Sequence, residues 1–176
     1  MTQARVHSRS LAARFGAAVR VSLPTTSFWV FGSIGWAAVN ALSALIGLTL
    51  REWQGWPAIG EVVAVFAAGA ALAFLPATVL GRLVGRGREP SIRYAAAFVA
   101  LAVLTVGFTA AVFAFQYRLY YSQWHAPFPS VVWGFQFVFT TAAAVYQFAV
   151  LGMRLYLPLG FIGLFAAGWL IARSPR

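Results

Sequence analysis

The sequence predicts an all-α fold, a polytopic integral membrane helical bundle of about five transmembrane helices, and three observations lead there. Hydrophobic residues make up 61% of the chain and charged residues 9%, where a soluble domain carries about 25% charged residues. The mean hydropathy is +0.79. The apolar residues fall into long runs separated by short arginine-bearing connections, and about 20 apolar residues at 1.5 Å each cross the hydrocarbon core.

The first 24 residues, MTQARVHSRSLAARFGAAVRVSLP, carry arginine and serine and no acid. That composition also describes a mitochondrial transit peptide. A polybasic segment ahead of a first span is the commoner device for fixing orientation, so residues 1–24 are expected to be a basic cytoplasmic tail. Leu11, Phe15 and Ala18 share one side of a helical wheel there. The apolar run that follows is too long for a secretory signal. Residues 25–172 then form the transmembrane domain and 173–176 a short C-terminal tail.

Residues 27–50, SFWVFGSIGWAAVNALSALIGLTL, are uncharged and stop at Arg51: span one. Residues 58–81 hold one acid, Glu61, and end in GRLVGRGREPSIR: span two, with Pro76 expected to kink it near that end. Residues 94–117 lie uncharged between Arg93 and Arg118: span three. From 131 to 172 a single charge, Arg154, interrupts the apolar run. As one helix this stretch would be about 63 Å long, twice the hydrocarbon thickness, so it must break. Gly152, Pro158 and Gly160 predict a tight reversal near 152–158, giving spans four and five. The alternative is four spans, with 155–172 re-entrant or interfacial.

Arginines alternate four, one, four, one over the N-tail, loop one, loop two and loop three. The N-terminus and loop two are therefore expected in the cytoplasm of a bacterial inner (plasma) membrane, with residues 116–130 on the far side. Five spans put Arg173 and Arg176 outside, against the same rule.

The stretch QYRLYYSQWHAPFPS, 116–130, concentrates rings. Tyr120, Tyr121 and Trp124, with Trp53 and Trp56 from loop one, form an aromatic belt at headgroup depth. The sharper reading makes this rim, with His125, an interfacial site for a quinone, pigment or lipid headgroup. His125 has no second histidine near it, since His7 falls across the bilayer.

Within the spans, Gly32, Trp36, Asn40, Ser43 and Gly47 on span one, and Gln136, Thr140, Ala143 and Gln147 on span four, follow helical spacing and read as inward faces. Ala64, Ala68 and Ala71 with Gly69 and Ala73 on span two, and Gly107 with Ala111 on span three, read as small-residue packing surfaces. Glu61 is either an interfacial carboxylate in a first helical turn or a proton or cation site. Asn40, Glu61, Gln136, Thr140 and Gln147 thus make up the candidate polar intramembrane site.

The chemistry is bounded by what is missing. The chain has no cysteine, no aspartate and three glutamates. Thiol chemistry, paired-carboxylate hydrolysis and the usual metal sites lack their parts, so an enzyme is not expected. GRLVGRGREP lacks the Gly-Lys-Ser/Thr of a phosphate loop. No cofactor can be named, and the arginines cap apolar segments instead of forming a basic face for nucleic acid. Anionic lipid headgroups at the cytoplasmic arginines are the expected partners, with other membrane subunits or a second copy. The leading expectation is an accessory or assembly subunit of a larger membrane complex. A small transporter or lipid-translocating protein, and a quinone- or pigment-binding subunit, are the alternatives.

Overall fold

A computed structural model describes residues 13–51 and 56–174, with the side chains of Trp56 and Pro57 outside that description. Six helices and no strand occur among the described residues. A short helix α1, residues 13–22, leads into α2 (Thr26–Thr49), α3 (Trp56–Val84) and α4 (Pro90–Tyr121). After a loop come α5 (Val131–Gln147), a wide π-helical turn (Phe148–Gly152), a tight 3₁₀ turn (Met153–Tyr156) and α6 (Leu159–Arg173). Four segments are long and apolar enough to cross a membrane. The chain is a multi-pass helical membrane protein.

Local chemistry sets the boundaries. Thr25 and Ser130 cap α2 and α5, their hydroxyls accepting from Phe28 N at 3.4 Å and Trp133 N at 3.1 Å, as short polar side chains do at helix starts. Between α3 and α4 the chain turns through Gly87 at φ 69°, a backbone region in which glycine has no Cβ to clash. Pro90 then opens α4, where its missing N–H is not needed. α3 runs unbroken through Pro76.

Apolar burial cannot drive helices together in lipid, so close backbone approach and polar stitches must. α3 and α4 form the most extensive pair. A methyl added to Gly69 would lie 2.4 Å from Thr109 Cα, and one on Gly81 2.8 Å from Ala97 Cα. The backbones therefore touch at two places along the crossing. Across the bundle, Trp36 Nε1 donates to Thr105 Oγ1 at 2.9 Å. Two apolar clusters fill the interior. One gathers Trp36, Phe74, Leu101 and Leu164 toward the α3–α4 turn, the other Leu48, Phe66, Phe148 and Leu155 toward the opposite end.

The helix faces divide the expectations. On α2, Trp36, Asn40, Ser43 and Gly47 are buried, as their spacing predicts, and Gly32 is half-buried against Phe74. On α3 the small residues Gly69, Ala70, Ala73 and Ala77 are among those buried, whereas Ala64 and Ala68 face outward. On α4 it is Thr105 and Thr109 that turn inward, while Gly107 and Ala111 are exposed. Ala143 on α5 is likewise exposed and Ala144 buried.

The last third corrects the expected reversal. α5 runs antiparallel to α4: Phe137 lies under the Arg118 guanidinium at 3.6 Å and Phe148 lies 6.3 Å from Phe113. α6 is also antiparallel to α4, since Gly168 packs on Phe98 and the Arg93 guanidinium donates to the Ala172 carbonyl. Both helices thus descend in the same sense, and 148–158 is a sideways step within one broken crossing. A broken helix in lipid leaves backbone groups without partners. Ser43 supplies them: its hydroxyl donates to Leu155 O at 2.8 Å and accepts from Gly160 N at 3.1 Å. This explains why the step holds at that depth. Ser43→Ala should orphan both groups and cost about 1–3 kcal/mol for each, read as a lowered unfolding temperature in detergent, while Ser43→Thr retains the oxygen.

Consequently Arg173 lies at the same end as the α3–α4 turn, not opposite it. Arg82 donates to Ser174 Oγ at 2.6 Å and to Leu23 O at 3.2 Å. Together with Arg93 it ties the start of α2 and the carbonyl end of α6 to the α3–α4 hairpin, where cations suit the helix dipole. These two arginines therefore have internal partners besides any lipid. Arg5, Arg9 and Arg176 lie outside the described residues.

Candidate functional site

At the end opposite the arginine-rich turn, α4 outlasts the hydrocarbon: Arg93 to Arg118 spans about 37 Å of helix, and the core is about 30 Å. Beyond Tyr121 a 3₁₀ turn, Ser122–Trp124, leads into the proline-containing return. The rings of Tyr117, Tyr120, Tyr121 and Trp124 pack on one another, with centroids 4.5 Å apart for Tyr117–Tyr121 and 5.4 Å for Tyr120–Trp124. Tyr120 and Trp124 remain about three-fifths exposed, at 61% and 59%. This arrangement matches an interfacial belt in which each ring's neighbour is another ring of the cluster. Trp53 lies outside the described residues, as does the side chain of Trp56, so the two-loop rim is seen only on the 116–130 side.

His125 is turned inward from this cluster. Its Nε2 pairs with Thr140 Oγ1 at 3.2 Å, and Gln136 Oε1 accepts from Ala126 N at 2.8 Å. The two α5 side chains expected on an intramembrane face instead hold the 125–130 return against α5. The reason is register: the return climbs beside α5, so α5 begins farther out than α4 ends. No group of three or more His, Cys, Asp or Glu residues forms a metal site among the described residues.

The polar set is not brought together. Asn40 is fully buried; its Nδ2 donates to Trp36 O at 2.8 Å and its Oδ1 has no partner. It borders a lateral cavity of about 390 Å³ with Trp36, Thr105, Tyr156 and Gly160. Glu61 is the sixth residue of α3 and exposed, past the first turn and outside the bundle. Gln147, at the end of α5, lines a different cavity of about 210 Å³. A continuous polar path through the bundle is not formed by these residues.

Sequence reasoning missed the residues that share this cavity with Gln147. Arg51, from the end of α2, and Arg154, from the 3₁₀ turn, line the same cavity, whose remaining walls include Leu48, Phe66, Phe113 and Phe148. The signal was available in the lone charge at 154 within an apolar run. Its expected place at a reversal concealed it.

No protein-family model matches the chain, and no curated protein or solved structure matches it.

Proposed function

We propose that the protein is an accessory or assembly subunit that works by contact with a larger membrane complex. It has no catalytic role in this reading, and its arginine-rich end faces the cytoplasm of a bacterial inner membrane. One observation carries it. α5 buries only Ala144, and its outer half presents Val131, Phe135, Val138 and Phe139, each 60% or more exposed, beside Phe128 at 72%. The face continues to Thr140, which pairs with His125 of the connecting loop and not with a neighbouring span. An unpartnered apolar and aromatic face of this kind supports a contact with another membrane protein. The distribution of arginine supports the orientation.

Gentle extraction at native expression, followed by native gel and mass spectrometry, tests the reading. The expected result is stoichiometric recovery with a larger assembly, lost in Phe135→Lys and Phe139→Lys while the purified variants unfold at the wild-type temperature. Recovery alone as a homo-oligomer, with a function abolished by Asn40→Leu and Glu61→Gln, overturns it in favour of a carrier. An absorbance band that follows His125 would favour a pigment-binding subunit.

A further inference from the structure

Among the described arginines at the aromatic end, Arg118 is spent on the Phe137 ring. The other two, Arg51 and Arg154, face one apolar cavity of about 210 Å³. Arg51 Nη1 donates to Gly47 O at 2.8 Å and Arg154 Nε to Leu151 O at 3.2 Å. These contacts engage one nitrogen of each guanidinium, and neither guanidinium pairs with a carboxylate among the described residues. The Arg154 side chain is exposed from the bundle, but its backbone lies well inward along the helices. Its neighbour Leu155 bonds to Ser43, two turns of α2 inward from Arg51.

A cation at that depth is expensive unless an anion meets it, and such a residue is a functional candidate by default. The surrounding walls select the anion. Leu48, Phe66, Phe113 and Phe148 offer nothing polar, so a small hydrated anion would lose its water without return. Arginine recognises phosphate oxygens through paired, planar donors. We infer that this cavity is a binding site for one anionic phospholipid, its phosphate bridging Arg51 and Arg154 and one acyl chain lying against the phenylalanines. Gln147 adds an amide donor at the mouth. The site lies at the end opposite the arginine-rich turn, so it is separate from any general attraction of that turn to charged headgroups.

A wide turn forms part of the cavity wall. Five residues per hydrogen-bonded loop widen the helix between Phe148 and Gly152, and such turns recur at functional sites. Gln147, just before this turn, and Arg154, just after it, line the same cavity.

Native mass spectrometry of the purified chain, titrated with dioleoyl phosphatidylglycerol or dioleoyl phosphatidylcholine, tests the inference. The wild type should retain one phosphatidylglycerol per chain in preference to phosphatidylcholine. Arg51→Gln combined with Arg154→Gln should weaken that retention by roughly tenfold or more, as the loss of two charge-assisted contacts implies, whereas Arg118→Gln should not. Equal retention of both lipids by the wild type overturns the proposal, even where the double variant fails to fold. So does unchanged phosphatidylglycerol binding in a folded double variant. Displacement of the lipid by millimolar inorganic phosphate would assign the site to a free anion and likewise overturn it.

Discussion

Single cysteines placed at Ser91 and Arg173 should react with an impermeant maleimide from the same side of a sealed vesicle, and one at Gln123 only from the other. The native chain has no cysteine to confuse the result, and all three positions are exposed. The expectation follows from direction alone. α4 carries the chain from the arginine-rich end to the aromatic end, α5 turns back along it, and α6 continues that descent to bring Ala172 against Arg93. An odd number of crossings would pair Arg173 with Gln123, and the step at 148–158 would then be a true reversal. The response is all-or-none, which makes it the most discriminating measurement on the fold.

Gly69→Leu should yield no folded monomer. The first carbon of any side chain at that position would stand 2.3 Å from Thr109 Oγ1 and 2.4 Å from Thr109 Cα. Backbone cannot swing aside as a flexible side chain can, so α3 and α4 would have to separate along the most extensive interface in the bundle. Overpacking in a close-fitted interior costs about 1–3 kcal/mol, and that range suits Gly69→Ala. Gly107→Ala, whose new methyl meets nothing within 4 Å, should be neutral or stabilise the helix by up to about 1 kcal/mol. Thermal unfolding followed by circular dichroism in detergent compares the three. Equal behaviour of Gly69→Ala and Gly107→Ala would refute the assigned α3–α4 face.

That contrast shows what the sequence made legible. α2 could be read because Trp36, Asn40 and Ser43 are polar or hydrogen-bonding groups that lipid disfavours, and their spacing marks the inward side. On α3 and α4 the choice lay among alanines and glycines, which lipid and protein accept equally. Ala64 and Ala68 therefore looked as suitable as Gly69 and Ala73, and Gly107 as suitable as Thr105. The better guide on α4 was its hydroxyls: Thr105 receives the Trp36 indole, and Thr109 Oγ1 bonds to Thr105 O at 2.7 Å.

The break in the final stretch was legible from length and from Gly152, Pro158 and Gly160. Its sense was not, because proline and glycine permit a reversal and a sideways step equally. What decides is a residue more than a hundred positions away, Ser43, which satisfies both sides of the step. Gln136 and Thr140 illustrate the same dependence. Their helical spacing was correct, but the chain that meets them is the 125–130 return and not a neighbouring span.

Gathering Arg173 with Arg82 and Arg93 also makes the molecule electrically lopsided along the membrane normal. Seven described arginines and Glu89 stand at or beyond one end, against three arginines and Glu61 toward the other, a difference of four charges. A potential of about 100 mV does about 2.3 kcal/mol of work on each charge that crosses it. With the arginine-rich end on the electrically negative side, as proposed, turning the protein over in an energised bilayer would cost about 9 kcal/mol at that potential. In the proposed orientation the membrane's own voltage adds a restraint comparable to the whole stability of a small fold, and a cell that lets that voltage collapse removes it.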